Sequence, residues 1–194
     1  MINRSHLKIR SGLPHFEIPE LAKLEWTRHA FLTRRGGTSP PPYDSLNLSN
    51  KNGDQKDFVA MNGKIIAKAF DFDLNVLILL DQMQQDQILL LKRPVITLPS
   101  PLEYDALITN SPNMYLGIQT ADCLPIFIVD QKRKVIAAVH AGRQGTALRI
   151  TAKVVEKMKE DFGCSSKDLL SFSLSSICIA RCWTKFNALS LRLL

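Results

Sequence analysis

The sequence predicts an α/β (α+β) fold, a layered mixed-sheet domain, from three observations. Several short, continuous apolar runs suit buried strands. Two longer stretches carry apolar residues at helical spacing. The two kinds alternate irregularly, and neither a Gly-x-Gly-x-x-Gly turn nor a Gly-x-x-x-x-Gly-Lys phosphate loop is present, which excludes a doubly wound dinucleotide fold.

Each element follows from local chemistry. After the apolar run Ala30–Leu32, the cluster Gly36-Gly37-Thr38-Ser39-Pro40-Pro41-Pro42-Tyr43 predicts a loop, because paired glycines admit unusual backbone angles and prolines stop helices and central strands. Asp57–Phe70 predicts a helix, with Val59, Asn62, Ile66 and Phe70 on one side and Ala60, Ala67 and Ala69 favouring it. Val76–Leu80 and Ile88–Leu91 predict buried strands joined by a polar connection, as do Leu116–Ile118, Leu124–Val129 and Val135–Val139. Thr146–Phe162 predicts a second helix, since Ile150, Val154, Met158 and Phe162 recur every fourth residue and Gly163 can close the end. The 194 residues are read as one domain, with 171–194 as an eroded or truncated C-terminal part and exposed apolar residues Leu189, Leu191 and Leu193.

Composition narrows the function classes. Hydrophobic residues at 45% and charged residues at 22% are ordinary for a globular protein, and no run approaches the roughly 18 apolar residues of a membrane span. The net charge of +7 suits an anionic ligand such as phosphate, but Lys and Arg are scattered and aromatics are few, which argues against nucleic acid. Met1–Glu20 lacks an apolar core and carries Arg4, Lys8 and Arg10, so the expectation is a cytoplasmic protein with Cys123, Cys164, Cys178 and Cys182 reduced.

The chemistry centres on Cys123 and His140. Thr120-Ala121-Asp122-Cys123 precedes one strand and His140-Ala141-Gly142 follows the next. With Gln131-Lys132 as a two-residue turn, Asp130 opposes Arg133 and Cys123 opposes His140, with Cβ atoms about 4.5–5.5 Å apart. A turn one residue longer sends the two side chains to opposite faces, and Gln-Lys is not a favoured two-residue turn, so the register stays open. Such a pair can share Zn²⁺ or act as nucleophile and base; the plain alternative is a buried free cysteine beside a strand-end histidine. Asp122 is costly inside a strand unless used, and Ala141-Gly142 allow a sharp turn into a helix start, where anions bind. Arg34 reads equally as a phosphate fork or a solvated surface residue, and Asn47 as a ligand contact or a turn residue. Cys178 and Cys182 have metal-like separation without a second pair.

Several ordered strings then carry a resemblance. Phe31-Leu32-Thr33-Arg34-Arg35-Gly36-Gly37-Thr38-Ser39, Ser45-Leu46-Asn47-Leu48-Ser49, Gly53-Asp54, Val59-x-x-Asn62, Asp105-Ala106-Leu107-Ile108-Thr109, Thr120-Ala121-Asp122-Cys123-x-Pro125 and Ala137-Ala138-Val139-His140-Ala141-Gly142 occur in order over roughly residues 28–165. Together they resemble the laccase-domain family of purine nucleoside phosphorylases, formerly called multicopper polyphenol oxidoreductases. The resemblance implies a fold like that of the cytotoxic necrotizing factor and YfiH-like cysteine hydrolases. It implies a zinc site of two His and one Cys, and phosphorolysis of adenosine or inosine with some deamination of adenosine. Cys123, His140 and Asp122 would be catalytic, Arg34 and Asn47 would meet the purine nucleoside and phosphate, and Cys123 and His140 would be metal ligands. Copper oxidase chemistry wants many histidines, and only four exist here, so copper is not expected.

Three departures qualify that expectation. In Gln82-Met83-Gln84-Gln85, Gln84 stands where the family carries its first metal-binding His, and an amide oxygen is a poor zinc ligand. In His140-Ala141-Gly142-Arg143-Gln144-Gly145 a Trp is lost. The family's C-terminal segment survives only as Leu174-Ser175-Ser176-Ile177-Cys178, and the chain stops several tens of residues short of typical members. Weak or absent zinc and low activity follow. Two other classes stay open: a metal-free Cys–His hydrolase or deamidase, and a non-catalytic remnant.

Overall fold

The structure is a computed structural model that describes residues 6–92 and 101–174, together with the backbone of 186–193. In chain order the elements are β1 (His6–Arg10), β2 (Leu13–Glu17), α1 (Pro19–Ala22), β3 (Thr27–Leu32), α2 (Lys56–Phe70), β4 (Leu77–Leu79), β5 (Ile88–Leu91) and β6 (Ala106–Thr109). There follow β7 (Tyr115–Thr120), β8 (Leu124–Asp130), β9 (Val135–Ala141), α3 (Arg143–Ala147), α4 (Ile150–Phe162), β10 (Leu169–Ser173) and β11 (Phe186–Leu193). Two sheets form, one in the order β1-β2-β3-β11-β7-β4 and the other β10-β8-β9-β6-β5. Parallel pairing of β4 with β7 and β5 with β6 makes both sheets mixed.

Four layers result. Ile66, Ala69 and Phe70 of α2 cover the outer face of the first sheet against Leu13, Ala30 and Leu32. Ile150, Val154 and Met158 of α4 cover the outer face of the second against Ile128, Ala137 and Val139. Between the sheets, Phe31, Leu116 and Ile118 meet Leu107, Phe127 and Ile136, with the Phe31 and Phe127 ring centroids 4.7 Å apart. Strands β8 and β9 are buried on both faces, which is why they read as unbroken apolar runs rather than alternating ones. Each large side chain buried there contributes about 1.5–3 kcal/mol.

The structure corrects several expectations. Asp130 pairs with Val135, so the β8–β9 turn holds four residues, Gln131 to Lys134, not two. The cause is Asp130, whose carboxylate accepts from the N–H of Lys132 and Arg133 at 2.9 Å each and builds a longer turn. His140 therefore opposes Pro125 instead of Cys123, a slip of two that preserves the face. The helix expected over 146–162 is broken: α3 ends before Arg149, whose φ of 60° starts α4 afresh. The run 76–80 opens as a 3-10 turn and becomes strand only at Leu77. The hairpin of β1 and β2 was not foreseen. Residues 186–193, expected as a missing sheet edge, form β11, paired on both sides with β3 and β7. Ser175, Ser176, Ile177, Cys178, Cys182 and Trp183 lie outside the described residues, as do the side chains of Leu189, Leu191 and Leu193.

His29 belongs to this framework. Its Nε2 accepts from the N–H of Ile18 at 2.7 Å, and burial pushes its pKa down to about 4 from 6.5. Above pH 6.5 the ring is neutral folded or unfolded; as pH falls toward 4 the unfolded chain takes a proton that the folded one refuses. Unfolding free energy should therefore fall by about 3 kcal/mol across that window. Urea titrations of the parent and of His29→Gln, which keeps an acceptor without the titration, should differ by that slope; parallel pH curves would refute it.

Candidate active site

Asp105 builds the inner end of the site. It is fully buried just before β6. Its carboxylate accepts from the backbone N–H groups of Met83, Gln84 and Gln85 at 3.2, 3.0 and 2.8 Å. Three consecutive donors converge because Gln84 has φ of 58°, in the left-handed region, which folds the connection after β4 into an anion-binding nest. The same carboxylate takes the Nδ1–H of buried His140 at 2.8 Å, and the Asp105 carbonyl accepts from the His140 N–H. With Nδ1 committed, His140 keeps Nε2 as its acceptor nitrogen.

Cys123 reaches the same point from the other strand end. Gly142 marks the meeting place: a Cβ there would lie 3.3 Å from Cys123 Sγ, 3.4 Å from His140 Cε1 and 3.7 Å from Gln84 Cγ. The sulfur and the imidazole Cε1 thus lie no farther apart than the sum of the first two distances, although His140 opposes Pro125 and not Cys123. Gly142 has φ of −74°, which any residue adopts, and a Cβ there would be only a few tenths of an ångström tight against the Cys123 sulfur. Gly145, by contrast, is needed, because a Cβ would meet the Gln85 carbonyl at 2.8 Å. The chain turns after Gly142 into a helix start, as expected, and α3 is five residues long.

The opposite wall is the loop after β3. Buried Asn62 pegs it: its Nδ2 donates to Ser39 Oγ and to the carbonyls of Ser45 and Asn47, while its Oδ1 accepts from Thr38 N–H and Oγ–H. Gly37 fits under this peg only without a Cβ, which would sit 2.2 Å from the Ser45 carbonyl. An amide pair closes the floor, with Gln82 Nε2 donating to the Gln119 carbonyl at 2.6 Å and Gln119 N–H donating to Gln82 Oε1 at 2.7 Å. The walls enclose a cleft of about 730 Å³ that Arg34, Asn47, Gln84, Asp122, Cys123 and His140 all line.

The cleft treats those six differently. Arg34 is held at its rim by the Asp44 carboxylate and carbonyl. Asn47 spends its amide on its own loop, bonding Ser49, Asn52 and Asp54, so the turn reading accounts for it. Asp122 is exposed in a bend before β8, so the expected cost of burying it in a strand does not arise. Burial raises the Cys123 pKa first, and the charges of Asp122 and Asp105 add to it, so the thiol keeps its proton at neutral pH. Sequence reasoning missed Asp105 as a site residue, although it opens a quoted string and lies at a strand start.

Zinc held by protein alone in an open catalytic site takes three good donors. This site offers a thiol, an imidazole and a neutral amide, and no group of three His, Cys, Asp or Glu able to hold a metal occurs among the described residues. The donor set does not fit a resident zinc.

Comparison with known proteins places this architecture. The profile of the multi-copper polyphenol oxidoreductase laccase family matches residues 28–184. A purine nucleoside phosphorylase of Deinococcus radiodurans is 39% identical over 147 residues, covering 76% of this chain and 54% of that protein. The human purine nucleoside phosphorylase LACC1 is 32% identical over 145 residues, covering 73% of this chain and 33% of that one. The chain spans about half the length of the first curated relatives it matches. The crystal structure of the Bacillus licheniformis hypothetical protein YfiH superposes with a TM-score of 0.78 at 29% identity, covering 88% of this chain and 64% of that one. YlmD from Geobacillus stearothermophilus, at 22% identity and a TM-score of 0.77 over 89% of this chain and 64% of that one, shares the fold.

Asp105→Asn tests the hub. It exchanges an acceptor oxygen for a donor facing four donors, so stability should fall by about 2–4 kcal/mol. Amide exchange at Met83, Gln84 and Gln85 should accelerate. An equally stable variant with those amides still protected would show that Asp105 does not organise the site.

Proposed function

The chain belongs to the multi-copper polyphenol oxidoreductase laccase family, and from that premise we propose that its cleft is a purine nucleoside phosphorylase site working slowly, if at all, as this chain stands. The observation that carries the reading is the convergence of Cys123, His140 and Gln84 around Gly142 at the inner end of a nucleoside-sized cleft. The names of the relatives supply the reaction class. In phosphorolysis a phosphate oxygen bonds to the anomeric carbon as the carbon–nitrogen bond to the base breaks, and the departing purine takes a proton. The Asp105–His140 pair suits proton traffic at Nε2, because Asp105 holds Nδ1 and fixes the ring. Arg34 suits phosphate at the rim through its planar fork, in exchange for part of its hold on Asp44. Adenosine and inosine are the substrates proposed, with deamination of adenosine as a side reaction.

The metal-free hydrolase reading is weaker. Its nucleophile would be Cys123, and the site pushes that thiol's pKa up, where a nucleophile wants it lowered.

The test is incubation with adenosine or inosine and phosphate, with and without zinc, assaying free base. Slow, phosphate-dependent release that His140→Ala lowers at least tenfold is expected. Turnover without phosphate that stops on thiol alkylation would instead establish the hydrolase. Absence of both turnover and nucleoside binding would establish a non-catalytic remnant.

A further inference from the structure

We propose that Gln84 is a hydrogen-bonding contact for the purine base rather than a metal ligand, so that the cleft recognises its nucleoside without a resident ion. The proposal rests on the nucleoside reading above and deepens it.

The main chain of Gln84 is fixed by the Asp105 nest, and its Cγ stands 3.7 Å from the point where Cys123 Sγ and His140 Cε1 meet. The side chain therefore projects into the cleft from a rigid stem. Its terminal amide makes no hydrogen bond to any described residue. By contrast, the neighbouring cleft amides of Gln82, Gln119 and Asn47 are all engaged within the protein.

An amide so placed is a poor donor to zinc, because its oxygen is neutral and hard beside a thiol and an imidazole. It has what a base edge needs: one acceptor and one donor, side by side in one plane. The 6-amino group of adenine beside a ring nitrogen presents the complementary pair, which carboxamides match with two parallel bonds. His140 Nε2 and the Cys123 thiol add an acceptor and a weak donor nearby. This part of the cleft thus offers hydrogen-bonding groups suited to a 6-substituted purine, with the Asp122 carboxylate beside them.

The experiment measures binding calorimetrically in the presence of chelator, with adenosine and with purine riboside, which lacks the 6-amino group. The parent should bind adenosine about tenfold more tightly than purine riboside, the worth of one good hydrogen bond. Gln84→Ala should weaken adenosine about tenfold and bring the two ligands close to parity. If adenosine binds and Gln84→Ala weakens both ligands equally, or neither, the role given to Gln84 is wrong while the nucleoside site stands. If the parent retains one zinc per chain through dialysis against chelator and Gln84→Ala loses it, Gln84 is a metal ligand and the proposal falls. If no nucleoside binds, with or without zinc, the proposal falls together with the reading it rests on.

Discussion

The Asp105 carboxylate, fully buried and accepting from three successive backbone N–H groups and one imidazole, is the interaction on which the site depends. A buried charge is tolerable only where such donors surround it. Here the four donors arrive from two parts of the chain. The connection between β4 and β5 supplies the nest, and β9 supplies the histidine. Because β6 pairs with both β5 and β9, Asp105 sits between their ends and ties them together. One side chain thus fixes the ring of His140, the path of residues 83–85 and the mouth of the second sheet.

The rest of the cleft follows the same logic of buried polar groups that tie irregular chain to regular chain. Asn62 projects from α2 and holds the loop after β3 through five hydrogen bonds, so a rigid helix sets the position of Arg34 and Asn47. Gln82 and Gln119 clamp the strand ends of β4 and β7, and Gln119 Nε2 carries the connection on to the Leu48 carbonyl at 2.7 Å. Loops held in this way have their backbone polar groups satisfied by fixed partners, which limits the freedom of the functional groups they carry.

How much of this was legible varies with its physical origin. The strands β8 and β9 were legible because burial on both faces leaves an apolar run that little else explains. The face shared by Cys123 and His140 was legible too, but only because the true turn differs from the assumed one by an even number of residues. The turn length itself was not, since it is set by the Asp130 carboxylate capping two N–H groups, a local contest that apolar patterning does not record. Asp105 escaped notice because its importance lies in what comes to it from residues far along the chain. The break at Arg149 was hidden by a periodicity that runs through it, as Ile150, Val154 and Met158 face the core on either reading. For β11 the alternation Leu189-Ser190-Leu191-Arg192-Leu193 marks a strand that the reading of an eroded end passed over, and its place between β3 and β7 arises from pairing partners more than sixty residues away.

The nest also separates the shape of the site from its chemistry. The connection at 83–85 is held through main-chain N–H groups, which every residue but proline supplies, and needs from position 84 only a positive φ. A non-glycine residue there costs about 1–2 kcal/mol, and the bonds to Asp105 offset it. The side chain at 84 makes no hydrogen bond within that balance, so an imidazole or an amide there leaves the bonds of the loop to Asp105 alike. Gly142 and Gly145, which leave room for the converging side chains and for the Gln85 carbonyl, are indifferent to the change for the same reason. A cleft that would need three donors at this point to hold a metal therefore loses that fit through one residue while keeping its geometry, and this separation is what the proposed role of Gln84 rests on.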